Sequence, residues 1–255
     1  LKEADVIAAE DTRNTKKLCN YYEIETPLVS YHEHNKQTSG KQLIERILQG
    51  QTVALVSDAG MPTISDPGLE LVDMAVAEKL PVIPLPGANA ALTALIASGL
   101  PTQPFYFYGF LDRSGKAKKK ELEKLKYMKD TIILYESPHR LKETLQTMLS
   151  IWGNRRIVLC RELTKKFEEF VRGDIESAIE WCMEQEIRGE FCLIIEGSSE
   201  EKEQDAEEWW QAYSMKEHVN YYIEEKGMKP KDGIKQAAID RNISKREIYQ
   251  AYHID

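Results

Sequence analysis

Apolar residues fall in short runs separated by longer stretches of helical periodicity, and that rhythm predicts the elements. Asp5–Ala9 (DVIAA) reads as a strand and leads into a helix from Thr12 to Tyr22. Pro27–Tyr31 is a second short strand. Thr38–Gly50 places Leu43, Ile44, Ile47 and Leu48 on one helical face and stops at Gly50. Thr52–Ser57 (TVALVS) is nearly all apolar over the length of a strand, as expected when both faces of a sheet are covered. Leu69–Lys79 reads as helix, Pro81–Leu85 as strand, and Ala88–Ser98 as an alanine-rich helix ended by Gly99. Strand and helix alternating in this way predict parallel β-α-β units.

The aromatic strand Pro104–Phe110 (PFYFYGF) marks a change of composition. Behind it, Arg113–Lys129 holds eight basic residues against two acidic ones, Glu121 and Glu123. A second alternation follows, with strands at Thr131–Tyr135, Arg156–Arg161 and Glu190–Glu196 and helices at Leu141–Trp152 and Ile175–Gln185. The predicted fold is α/β: two α/β lobes, residues 1–111 and 112–197, then an acidic linker and helical tail over 198–255. In the tail, Ile234–Ile239, Ser244 as N-cap and Ile248–Tyr252 resemble a small helix-turn-helix.

Composition narrows the function classes. The 255 residues carry 34 Lys+Arg against 42 Asp+Glu, a net charge of -8, which excludes a generally basic, histone-like binder but not a local basic patch. No apolar run approaches the roughly 18 residues of a membrane span. Cys19, Cys160, Cys182 and Cys192 form no C-x-x-C pair and read as core residues rather than zinc ligands or disulfides. With no signal-peptide pattern, the expected compartment is the cytoplasm. The chain opens on Leu1 rather than Met, so a preceding segment is expected.

Four loops could carry chemistry. The pattern S-D-x-G occurs twice, at Ser57–Gly60 and Ser65–Gly68, beginning where an apolar strand ends. Loops at the carboxyl ends of parallel strands present backbone N–H groups to ligands; a tight turn that caps the next helix is the alternative. Pro86–Ala91 likewise follows a strand and opens a helix, which suits either a ligand or close helix packing. Tyr135–Arg140 brings Glu136, His139 and Arg140 into one loop, where capping and surface charge are the plain alternative. Asp11-Thr12-Arg13 follows the first strand, and Asp11 or Thr12 would also serve as an N-cap. His32 and His34 stand two apart without a third ligand nearby, so polar substrate contact is preferred over a metal. No dinucleotide or P-loop glycine motif occurs. Lys118, Lys119 and Lys120 lie in the basic segment behind the aromatic strand, a pairing that suits single-stranded RNA, although a solvated helix face has the same pattern.

Taken in order, A-E-D-T-R, Y-H-E-H-N, S-D-A-G-x-P-x-I-S-D-P-G, P-G-x-x-A, G-F-L, E-S-P-H-R and R-E-L-T-K resemble the family of bacterial 16S ribosomal RNA ribose 2'-O-methyltransferases. That family lies within the tetrapyrrole-methylase-like class of S-adenosylmethionine enzymes, and the likeness runs from Ala4 to the helical tail. It implies a cofactor cleft between the lobes, a homodimer, and methylation of a cytidine ribose in the decoding region of 16S rRNA or the small subunit. It also implies that the chain starts after a P-T-P-I-G-N-L loop that lines the cleft. Met61, Asn89 and Asp112 depart from the family pattern, which has Thr, Ser and Pro there. By resemblance, Asp58, Ala59, Gly60, Met61, Asn89, Ala90, Glu136, Leu163 and Gly189 contact the cofactor. Glu10, Asp11 and His139 are candidate proton acceptors, and Arg13 and Arg140 are candidate phosphate contacts. Two other functions remain compatible with the sequence. One is methylation of a small tetrapyrrole, and the other is non-catalytic binding of RNA or the ribosome.

Overall fold

The computed structural model describes residues 1–200 and 209–253. The chain divides into two compact units, Leu1–Ser199 and Glu200–Asp255. Most of the expected acidic linker, residues 201–208, lies outside the described residues.

The first sheet has three parallel strands in the order β2-β1-β3: β1 Val6–Ala9, β2 Leu28–Ser30 and β3 Val53–Val56. The crossovers are α1 Thr12–Tyr21 and α2 Lys36–Leu48, as the periodicity predicts. Central β1 is wholly buried, whereas every residue of β3 is only half-buried, so the two-sided cover expected of TVALVS is partial. Helices α3 Leu69–Ala77 and α4 Ala90–Ser98 follow, and α4 ends at Gly99 with φ 76°.

The strand expected at Pro81–Leu85 does not form. Pro81, Pro84 and Pro86 remove the amide donors that a ladder needs, and Ile83 and Leu85 are 79% and 78% exposed.

The second sheet has five strands in the order β4-β5-β8-β6-β7. They are β4 Phe105–Phe110, β5 Thr131–Glu136, β6 Arg156–Arg161, β7 Glu169–Asp174 and β8 Phe191–Ile195. Only β4 and β5 pair in parallel; β8 runs antiparallel to both β5 and β6, and β7 antiparallel to β6. The second alternation therefore does not repeat the parallel pattern of the first. One reason is β7, which the apolar pattern does not announce because EFVRGD is a polar edge strand. The connection from β6 to β7 is too short for a parallel crossover, which needs a dozen or more residues.

Helices α5 Gly115–Leu125, α6 Pro138–Trp152 and α7 Ile175–Glu184 cover one face of this sheet. Leu122, Leu134, Leu141, Leu145, Leu159 and Leu193 form the core beneath them, each wholly buried. A side chain of that size contributes roughly 1.5–3 kcal/mol on burial. The opposite face, with Ile133, Val158 and Ile194, is covered by Ala91, Ala94 and Leu95 of α4. Residues N-terminal to 111 thus supply both a strand and a covering helix to the second sheet.

In Glu200–Asp255, helices α8 Met215–Glu224, α9 Pro230–Asp240 and α10 Lys245–His253 close around Val219, Ile234, Ala237 and Ile248. Ser244 caps α10 as expected: its hydroxyl accepts from Glu247 N–H at 3.2 Å, and Glu247 Oε2 accepts from Ser244 N–H at 2.9 Å. Among the described residues no helix is long and apolar enough to cross a membrane.

Candidate functional site

The loop after β3, the carboxyl ends of β4, β5 and β6, and the start of β8 meet at one cleft of about 340 Å³ within Leu1–Ser199. The double S-D-x-G loop after β3 supplies Ala59, Gly60, Met61, Ile64, Ser65 and Asp66. The turn into α4 supplies Ala88, Asn89 and Ala90. From the second sheet come Phe110, Tyr135, Glu136, Cys160, Leu163 and Glu190.

Backbone geometry makes these loops specific. Thr63 and Ser65 have φ of 73° and 64°, and Glu162 and Thr164, across the cleft, have 51° and 64°. Left-handed conformations at non-glycine residues cost free energy and persist where the surroundings fix them, commonly at functional sites. Gly68, at φ 150°, allows the first loop to close: a Cβ there would lie 2.7 Å from Thr63 Cγ2 and 3.0 Å from Leu55 Cδ2. Gly60 has φ 79°, and a Cβ on it would lie 3.4 Å from the Ala88 carbonyl, so this turn runs close to the start of α4.

Seven of the nine expected cofactor contacts, Ala59, Gly60, Met61, Asn89, Ala90, Glu136 and Leu163, line the cleft. Asn89 also caps α4, its Oδ1 accepting from Leu92 N–H at 2.9 Å, the bond a Ser would make there. Asp58 is turned away toward the first strand. Its N–H donates to Glu10 Oε2 at 3.4 Å, and its Oδ2 accepts from Asn14 Nδ2 at 3.0 Å. Gly189 sits beside the cleft at φ 86°, where a Cβ would lie 2.6 Å from Glu162 Cγ. The Glu136 carboxylate is occupied internally, accepting from Ser137 N–H at 2.8 Å and Thr144 Oγ1 at 2.7 Å.

The other candidates are more scattered. Asp11 caps α1 and pairs with the exposed Arg13, accepting from its backbone N–H at 2.8 Å and from Nη2 at 2.7 Å. Hydrogen bonds from Arg13 lower the Asp11 carboxyl to about 2, which makes it a weak base. Arg140 donates through Nη2 to the carbonyls of Leu111 and Asp112, at 2.8 and 2.9 Å, and lies 3.4 Å from Glu136. It clips the segment after β4 to α6, a structural use of the group expected to hold phosphate. His139 is exposed and does not line the cleft. His32 donates its N–H to Asn35 Oδ1 at 2.8 Å, and its ring lies 5.9 Å from that of exposed His34, within the loop before α2. Lys119 and Lys120 are exposed on α5, but Lys118 is 1% exposed and donates to Glu143 Oε1 at 3.1 Å. The expectation of three lysines on one cationic surface is therefore corrected to two: helical spacing turns Lys118 inward beside Leu122.

Sequence reasoning did not nominate Asp66 or Tyr135. Tyr135 packs edge-on against Phe107 and Phe110, with ring centroids at 5.2 and 5.6 Å, and burial pushes its hydroxyl up to about 12. Burial, then the charge of Glu10, pushes the Asp66 carboxyl up to about 6, while the Ser57 hydroxyl works in the opposite direction. The repeat of S-D-x-G held the signal for Asp66, since the second copy places an Asp where the first has Asp58.

Residues 1–179 match the family described as tetrapyrrole (corrin/porphyrin) methylases. The chain is 62% identical over 254 residues to ribosomal RNA small subunit methyltransferase I of Bacillus subtilis (strain 168), covering 100% of this chain and 87% of that protein. It is 59% identical over 253 residues to the protein of the same name from Halalkalibacterium halodurans, covering 99% of this chain and 87% of the relative. Its fold is similar to uroporphyrin-III C-methyl transferase from Thermus thermophilus, solved in complex with S-adenyl homocysteine. That likeness has a TM-score of 0.51 and 18% identity, covering 77% of this chain and 87% of that one.

Proposed function

The chain belongs to the tetrapyrrole methylase family, and within it we propose that it transfers a methyl group from S-adenosylmethionine to RNA of the small ribosomal subunit, at the 2'-hydroxyl of a cytidine. The observation that carries the substrate is the full-length likeness to small subunit methyltransferases, which includes the helical tail. Fold alone does not choose between RNA and a small tetrapyrrole, because one scaffold hosts many substrates.

The cleft lining fits the cofactor. Gly60, Ala59, Ala88 and Ala90 leave room for close backbone approach, and Ile64, Phe110, Tyr135 and Leu163 offer apolar surface to an adenine ring. Glu190 sets negative charge on the cleft wall, which suits a cofactor that carries a sulfonium and an ammonium group. When bound, S-adenosylmethionine supplies an electrophilic methyl group. The protein's own contribution is to hold methyl carbon and attacking oxygen in line in a site shielded from water. Exposed Lys119 and Lys120, with Phe105 and Tyr106 on the preceding strand, supply cationic and stacking surface for unpaired RNA.

The decisive experiment is transfer of labelled methyl from S-adenosylmethionine to unmodified small-subunit particles, naked 16S RNA and a porphyrinoid in parallel. The expected product is a single 2'-O-methylcytidine in the RNA; label only in the porphyrinoid would reverse the assignment. Cofactor binding without transfer to any of the three would leave the non-catalytic reading standing.

We also propose a cytoplasmic homodimer. Ile83 and Leu85, in the segment before α4, and Leu92 and Ile96, one turn apart on α4, are exposed at 50% or more and are apolar residues that a partner copy would cover. Light scattering should give twice the chain mass, and Ile83→Asp with Ile96→Asp should reduce it to one.

A further inference from the structure

We propose that Asp66 is the catalytic proton acceptor, positioned in the cleft to take the hydrogen of the attacking ribose hydroxyl. The inference rests on the 2'-O-methylation reading above. Its first support is position. Asp66 lines the cleft, whereas Asp11 and His139 do not. The loop that carries it is held on both sides, by left-handed Thr63 and Ser65 before it and by Gly68 after it. Ser65 in turn packs beneath the β4 bulge, where a Cβ on Gly109 would lie 3.4 Å from Ser65 Oγ.

The second support is the company the carboxylate keeps. Asp11 is bound to Arg13, Asp58 to Asn14, Glu136 to Thr144, and Glu190 to Lys165 at 2.7 Å. The groups whose charge or hydrogen bonding reaches Asp66 are Glu10 from the end of β1, Asp58 and Ser57 from the loop after β3, Glu190 from the start of β8, and Tyr135 from β5. Ser57 is the hydroxyl donor in that set and shares its reach with the Gly60 carbonyl, 3.3 Å away. Burial and three like charges favour the protonated form, so the carboxyl titrates near 6. An acceptor tuned toward working pH is more effective than the Asp11 carboxylate, which titrates near 2.

The step balances. As the ribose oxygen forms its bond to the methyl carbon, the methyl–sulfur bond breaks and its electron pair goes to sulfur. The hydroxyl proton passes to a carboxylate oxygen of Asp66, which then releases it to water.

The test compares wild type, Asp66→Asn and Asp66→Glu in single-turnover methyl transfer to unmodified small-subunit particles from pH 5 to 9, with calorimetric S-adenosylmethionine affinity measured alongside. Asp66→Asn should lose about 100-fold in rate, bind the cofactor within about threefold of wild type, and lack the acid limb of the wild-type profile. Asp66→Glu should regain part of the rate and show a displaced limb. An Asn variant that keeps both rate and limb overturns the proposal while leaving the methyltransferase reading intact. A wild type that methylates no RNA overturns that reading itself. Should Asp66→Asn fail to fold, judged by its melting curve, the Glu variant decides: an undisplaced limb counts against Asp66.

Discussion

The two sheets of Leu1–Ser199 grow from the same strand–helix rhythm into different structures. The first has three short parallel strands, of which only β1 is fully buried. The second has five longer strands in mixed directions, with β8 wholly buried between β5 and β6. Hydrophobic stabilisation is therefore concentrated in the second sheet, while the first carries the longer run of positive-φ residues in the cleft's loops, Gly60, Thr63, Ser65 and Gly68. A scaffold anchored on one side can carry a costly loop on the other.

The largest expected effect tests that division directly. Leu193→Ala, in wholly buried β8, should cost about 3–4 kcal/mol, as deletion of a packed leucine does. Val53→Ala, in half-buried β3, should cost about 1 kcal/mol. Urea denaturation measures both, and equal losses would erase the distinction between the sheets.

A smaller loss, about 1–3 kcal/mol, is expected for Gly68→Ala, from left-handed strain and the clash with Thr63 and Leu55. The accompanying fall in methyl transfer should exceed that of Gly153→Ala, whose added Cβ has open space although its φ of 72° is also left-handed. Equal kinetics in the two variants would mean that the first loop's shape is irrelevant to the cleft.

How much of this was legible in the sequence differs between the sheets for the same physical reason. The first sheet could be read because parallel strands with helical crossovers leave apolar runs separated by amphipathic periodicity. The second could be read as elements but not as topology. Nothing in FCLII shows that β8 inserts antiparallel between β5 and β6, since a strand buried on both faces has the same apolar pattern in either direction. EFVRGD and the proline-rich PVIPLP misled in opposite ways, the one a polar edge strand, the other apolar but short of donors. In the cleft, the loops could be located from motifs, but not the direction of each side chain. Lys118 turns inward, Asp58 turns toward Glu10 and Asn14, and Asp66 faces the cleft.

The pH dependence of stability sharpens the same contrast at a level on the order of 1 kcal/mol, once solvent screening of the half-exposed Asp66 is allowed for. Its folded-state carboxyl, near 6, lies above the usual 3.8, so the unfolded chain binds fewer protons between those values. This contribution to stability accordingly rises as pH falls from 6 toward 3.8, and above 6 the ionised group carries its full penalty. Asp66→Asn should therefore be more stable than wild type at pH 7.5, with the advantage fading by about pH 4. Thermal melts across that range check the sign. A variant less stable at pH 7.5 would show that the loop needs the carboxylate for its structure.

The smallest effect separates structural from substrate-facing charge on α5. Lys118 is buried and paired with Glu143, whose own side chain is 63% exposed, so Lys118→Met exchanges a buried cation for apolar contact without stranding a buried charge and should be close to neutral in stability. It should also leave the salt dependence of RNA affinity unchanged, because a side chain turned into the core neutralises no phosphate. Lys119→Glu and Lys120→Glu, on the solvent face, should each lower the slope of log affinity against log salt by roughly 0.7, the value for one single-strand phosphate contact. Fluorescence anisotropy with a short RNA from the small subunit, read at several salt concentrations, measures all three. If Lys118→Met lowers the slope as much as the exposed pair does, α5 must turn or unwind on RNA, and its inward face belongs to the substrate surface after all.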